Sequence, residues 1–193
     1  MAKRVMSGWM AGSMAGAALG ASLAFAGPPV PQAGGPATAA ATEWHLERGT
    51  EDGLSYVAVT ANNPGTDIAL QLVCSVDAQA AVTLFGEVGA SADLPEAAAV
   101  TTRMTGRPPR SDQWEQALEE GDVRTLDLGG RDAFDLIAAL AQTSAGEVRF
   151  EVAPANPTGG AAVERYGFDL GKGAEERGVL AAACANWRSG SDL

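Results

Sequence analysis

The chain has 193 residues, of which 46% are hydrophobic, 19% charged and 6% aromatic, with 24 glycines, 10 prolines and two cysteines. That composition describes a globular protein rather than a disordered one. A formal charge of −11 excludes a generic nucleic-acid binder, because phosphate contacts need dense Lys and Arg to displace counterions, and it disfavours anionic lipid surfaces for the same reason.

The amino end reads Met-Ala-Lys3-Arg4, then an apolar stretch of small residues from Val5 to Phe25, closing on Ala24-Phe25-Ala26 before Gly27-Pro28-Pro29. Basic residues, an apolar stretch and a small-x-small box are the parts of a secretory signal peptide, residues 1–26, with cleavage expected after Ala26. No Cys follows the cut, which excludes a lipid anchor at the new amino terminus. The competing reading is a retained membrane anchor, but Gly8, Gly12, Gly16 and Gly20 dilute its hydrophobicity. Cleavage leaves 11 basic residues against 24 acidic ones, a charge of −13. The expected location is the periplasm, with no stable membrane insertion after cleavage.

Residues 27–42 are rich in Pro, Gly and Ala, without a hydrophobic period, and read as a linker. Residues 43–193 are then a single β-rich domain. Strands are predicted at Trp44–Arg48, Ser55–Thr60, Ile68–Ser75 and Ala81–Val88, with a turn at Asn62-Asn63-Pro64-Gly65. In the third of these, Ile68, Leu70, Leu72 and Cys74 share one parity and so one face, the core face. Further strands are predicted at 100–104, 123–128, 148–152 and 163–169. Residues 112–120 fit a capping box through Asp112 and Glu115, yet Trp114, Gln116 and Leu118 alternate, which favours a strand. Two stretches have helical spacing: one capped by Asp132 and ending near Gly146, with Phe134, Ile137, Ala138, Leu140 and Ala141 on one stripe, and one from about Ala174 to Trp187. The expected fold is mainly β with two short helices, an antiparallel, β-sandwich-like single domain.

An even cysteine count in an exported chain predicts one disulfide, Cys74–Cys184, stapling the third strand to the last helix. A redox pair would need closely spaced cysteines with a depressed pKa, and these are far apart. His45 is the only histidine and accompanies no nucleophile motif, so no catalytic residue, metal site or cofactor is assigned. Glu119-Glu120 and Glu175-Glu176 read as solvated acids. Asp127-Leu-Gly-Gly-Arg-Asp132 has the outline of a calcium turn, in a single copy. Arg103, Arg107 and Arg110 form a basic cluster around Pro108-Pro109. It is the candidate partner-binding site, since guanidinium forks accept carboxylates in pairs, against the plainer reading of ion pairs to the chain's own acids.

The order of several pieces resembles the VasI-like family of exported bacterial proteins associated with type VI secretion. These pieces are Ile68-Ala-Leu-Gln-Leu-Val-Cys74, Arg103 ahead of a Pro-containing turn, Trp114, Phe134-Asp-Leu-Ile-Ala-Ala-Leu140, Val148-Arg-Phe150, Phe168-Asp-Leu170 and the closing Ala-Ala-Ala-Cys184-Ala-Asn-Trp187. Relatives often carry an acid two positions beyond the arginine, where this chain has Thr105. The resemblance implies an accessory or binding domain whose partner is an envelope or secretion-apparatus protein. The alternatives are a small envelope hydrolase acting on cell-wall glycan or peptide through carboxylates, and a secreted inhibitor or effector.

Overall fold

Asp52 and Gly53 both adopt positive φ, 49° and 81°, the two-residue hairpin turn whose twist matches that of the strands it joins. Glycine takes this conformation without steric cost, and Asp is among the few other residues that tolerate it. The turn sets Glu51 opposite Leu54 and so registers β1 (Glu43–Glu51) on β2 (Leu54–Asn62) as far as Glu43 opposite Asn62. A computed structural model of the chain describes residues 42–63, 67–77, 79–87, 96–119, 123–153 and 163–189, within one unit running Pro36–Leu193. The expected signal peptide, the linker up to residue 41, Pro64-Gly65, Val88 and Glu120 lie outside the described residues.

The remaining strands are β3 (Ile68–Ser75), β4 (Ala80–Glu87), β5 (Ala97–Met104), β6 (Arg110–Glu119), β7 (Val123–Gly129), β8 (Glu147–Val152) and β9 (Glu164–Asp169). Helix α1 (Gly130–Ala141) lies between β7 and β8, and α2 (Ala174–Arg188) follows β9. All nine strands form one antiparallel sheet in the order β1-β2-β3-β4-β7-β6-β5-β8-β9. The fold is thus mainly β with two helices in a single domain. Its layering comes from one curled sheet with α1 and α2 on its inner face, rather than from two separate sheets. Residues 112–119 belong to β6, as the Trp114, Gln116, Leu118 alternation predicts.

The inner face carries the core. Val57, Val59, Leu70, Leu72, Val82, Leu84, Leu126 and Leu128 line its centre against Leu136, Leu140 and Leu180 of the helices. Burying each such side chain contributes about 1.5–3 kcal/mol. Trp114 of β6, Phe150 of β8 and Phe168 of β9 continue it as a chain of edge-to-face rings, at 5.7 Å and 6.2 Å between centroids, the arrangement favoured by ring quadrupoles. Cys74 is buried on the inner face of β3 and is disulfide-bonded to Cys184 of α2, with Cα atoms 5.5 Å apart.

Asp132 is not the cap of α1. The cap position is Gly129, and Asp132 sits in the first helical turn, where its carboxylate pairs with Arg110 of β6. The helix also stops earlier than Gly146, at Ala141, and its last carbonyls have a dedicated partner. Arg177 of α2 is 1% exposed and donates to the carbonyl oxygens of Leu140 (3.2 Å) and Thr143 (3.1 Å) at the end of α1. It also donates to Leu170 (2.9 Å) and Lys172 (2.6 Å) ahead of α2. The guanidinium lies over the Trp44 ring at 4.5 Å, and Trp44 Nε1 in turn donates to the Asp169 carbonyl at 2.9 Å. Gly173, at φ 70°, passes so close to that ring that a Cβ there would overlap it. Asp169 N–H to Thr42 Oγ1 at 2.9 Å and Asn63 Nδ2 to the Gly167 carbonyl at 2.7 Å complete the seam between the two ends of the sheet.

Replacing Arg177 with Met keeps much of the apolar stem but leaves these carbonyls unsatisfied, so it is expected to lower stability by about 3 kcal/mol or more. Arg177→Lys should recover only a part, because one ammonium cannot reproduce the planar fork. Denaturant midpoints of the three proteins check this. Reducing the disulfide, which closes a separation of 110 residues, is expected to cost about 2–5 kcal/mol, read as a shift of the same midpoint.

Candidate functional site

The three arginines singled out in the sequence do not converge on one surface. Arg103 stands on the outer face of β5, exposed, with its Nε 2.9 Å from Glu151 Oε2 on the neighbouring β8. That guanidinium holds the Glu151 carboxyl below its ordinary range. Arg107 lies in the turn after β5 and donates to Gln142 Oε1 at 2.8 Å. Arg110 has the opposite parity to Arg103 and is bound between Asp112, 2.8 Å away, and Asp132. Two of the three are therefore engaged by the chain's own acids.

The other charged groups are similarly committed. Arg124, buried on the inner side of β7, donates twice to Gln116 Oε1, at 3.0 and 2.6 Å. It also reaches across the interior of the curled sheet to Glu164 of β9 at 2.7 Å, where the Tyr166 hydroxyl donates to the same carboxylate oxygen. His45 is exposed, 3.8 Å from Glu43. Glu175 and Glu176 lie in the first turn of α2, where the helix dipole favours acids. Among the described residues no group of three or more His, Cys, Asp or Glu is placed to hold a metal ion, and Asp127 and Asp132 turn to different partners. A groove of about 400 Å³ between α1 and α2 has Phe134, Ile137 and Ala181 among its walls and Cys184 beneath them. Among the described residues its charged rim consists of Asp135 and Arg188, the latter stacked 5.4 Å from the Phe134 ring.

One pair of carboxyls does stand side by side. Asp127 of β7 and Glu115 of β6 are direct cross-strand partners on the outer face, where opposed Cβ atoms are about 4.5–5.5 Å apart. Burial pushes the Asp127 carboxyl above its ordinary range, and Glu115 and Glu119 add to this, against hydrogen bonds from Thr83 and Thr125. The Thr83 hydroxyl donates to Asp127 at 2.6 Å.

The remaining feature is an edge. β1 ends the sheet, and among the described residues β9 is hydrogen-bonded to it at Thr42 and Trp44. Because Glu51 and Leu54 close the two-residue turn as a hydrogen-bonded pair, Gly49, Glu47 and His45 also direct their backbone groups to β2. Leu46, Arg48 and Thr50 therefore point their N–H and C=O away from the sheet, and among the described residues no strand pairs with them. The Leu46 side chain is 37% exposed, although its parity is that of the core face. On the outer face the same strand carries Glu43, His45, Glu47, Gly49 and Glu51 in a row.

The Asp52-Gly53 dipeptide between two predicted strands is the local signal for this hairpin. That β1 forms the edge is a matter of strand order, which no local pattern encodes. Arg177 also went unmarked, although it falls on the stripe completed by Leu180 and Cys184, and a charge within an apolar stripe is the cue for a buried, satisfied cation.

Asp127 binds its proton more tightly in the folded chain than when unfolded. The stabilisation from protonation is complete below the unfolded carboxyl pKa and is lost as pH rises through the folded one. At neutral pH, Asp127→Asn is expected to be more stable than the parent by about 0.2–1 kcal/mol, the size of a like-charge cross-strand contact. The difference should shrink as the pH approaches 3, which parallel melting curves over that range would show. Compared with known proteins, the chain matches no family model, no curated protein and no solved structure.

Proposed function

We propose that this chain is an exported, non-enzymatic binding domain of the periplasm that recognises another envelope protein by strand addition at β1. We place it as an accessory of a type VI secretion machine or a related envelope assembly. The amino-terminal pattern of Lys3, Arg4, the apolar run and Ala24-Phe25-Ala26 supports export. The order of parts from Ile68 to Trp187 supports the secretion setting. The observation that carries the binding role is the β1 edge, with outward backbone groups at Leu46, Arg48 and Thr50. Main-chain hydrogen bonds to such an edge supply affinity, and side chains on its two faces supply choice of partner.

An enzymatic reading has one observation in its favour, the Glu115–Asp127 pair with one carboxyl raised. Glycoside hydrolysis uses two neighbouring carboxyls, one of them with a raised pKa. They stand on the outer face of a sheet, however, and the Asp127 carboxylate already accepts from Thr83.

Photo-crosslinking in the native cell distinguishes the two. A photoreactive residue at Arg48 is expected to give one discrete adduct with an envelope component in the periplasmic fraction, and the same residue at Glu175 on α2 none. A chain recovered from the cytoplasm alone, or equal adducts from both positions, would count against the proposal. Loss of cell-wall hydrolysis by the purified protein on Asp127→Asn would move the assignment to the enzymatic reading.

A further inference from the structure

Resting on the strand-addition reading, we infer that the segment β1 receives is cationic: an extended stretch of another protein with Lys or Arg on one face and apolar residues on the other. The argument begins with parity. The outward backbone groups belong to Leu46, Arg48 and Thr50, so in an antiparallel addition residues facing Glu43, Glu47 and Glu51 occupy the non-hydrogen-bonded sites, where opposed side chains approach most closely. The three carboxylates share the outer face, four residues apart, with His45 and Gly49 between them. Glu47 is held by the Tyr56 hydroxyl at 2.7 Å, which orients the carboxylate. The same bond, with burial after it, pushes the Tyr56 hydroxyl up to about 12, so it stays a donor.

The opposite face of β1 offers the half-exposed Leu46 beside Arg48, and an apolar residue of the incoming strand would cover Leu46. A second copy of this chain fits the edge poorly. Its β1 would bring the same row of glutamates onto the same face of the joined sheet, and like charges across strands are destabilising. The row that discourages edge-to-edge pairing of two copies is attractive to a basic strand.

The test uses the mature chain with its disulfide intact and a labelled peptide, Lys-Val-Thr-Val-Lys-Val-Thr-Val-Lys, beside a counterpart with Glu for each Lys. The basic peptide is expected to bind, more weakly as salt rises, and to slow amide exchange at Leu46, Arg48 and Thr50. Reversing Glu43, Glu47 and Glu51 to Lys should weaken it about tenfold or more and favour the acidic peptide. Leu46→Pro should weaken both peptides, since it removes an outward N–H without touching the ladder to β2. Slow exchange at His45, Glu47 and Gly49 would show that each variant keeps its hairpin.

Equal binding of the two peptides, both lost in Leu46→Pro, would overturn the cationic specificity and leave strand addition standing. Binding of the basic peptide with no protection at Leu46, Arg48 and Thr50 would overturn strand addition itself. Failure of the basic peptide to bind, or self-association of the chain through β1, would overturn the inference.

Discussion

The stacking of Arg177 on Trp44 is the contact on which the closure of this fold depends. A buried guanidinium loses its hydration and must be given polar partners. Burial pulls its pKa below the ordinary value, against the opposing pull of the Glu176 and Asp169 carboxylates. The replacements here are backbone carbonyls rather than a carboxylate: two from the end of α1 and two from the segment between β9 and α2. The C-terminal end of a helix carries partial negative charge, so the cation also complements the α1 dipole. Trp44 contributes a ring face to the cation and an indole N–H to β9. One side chain from the last helix thereby fixes the first strand, the end of the other helix and the last strand together.

Several elements were legible because their chemistry is local. The parity of Leu70, Leu72 and Cys74 assigned the face of β3 that meets α2, and the alternation of Trp114 and Gln116 outweighed a capping-box pattern. Asp132 misled because a carboxylate near a helix start can cap the backbone or meet a cation, and Arg110 on β6 took it. The strand order escaped the sequence for a different reason. β5 lies beside β6 and β8, and the β6–β7 hairpin fills the space between β4 and β5. That arrangement is settled by which faces must be buried together, and each strand on its own is compatible with several neighbours. The candidate site inherits this limit, since an unpaired edge is a property of the whole sheet.

The distribution of charge follows from the same closure. Acids outnumber bases 24 to 13 in the full sequence, so most arginines find a carboxylate nearby: Arg103 meets Glu151, Arg110 meets Asp112 and Asp132, Arg124 meets Glu164 and Arg149 meets Glu147. Surplus negative charge remains where bases are scarce, and the outer row of β1 is such a place. There the glutamates do little for the fold apart from Glu47, which accepts from Tyr56.

The disulfide couples bond formation to the arrival of α2. With only two cysteines, a single intramolecular pairing exists, so no reshuffling between alternative partners is required. Cys74, however, precedes Cys184 by 110 residues. During synthesis its thiol must therefore remain unpaired until α2 is available. The one erroneous bond open to it joins two chains, which makes oxidant level and chain crowding, rather than disulfide isomerisation, the variables that govern the yield of native protein.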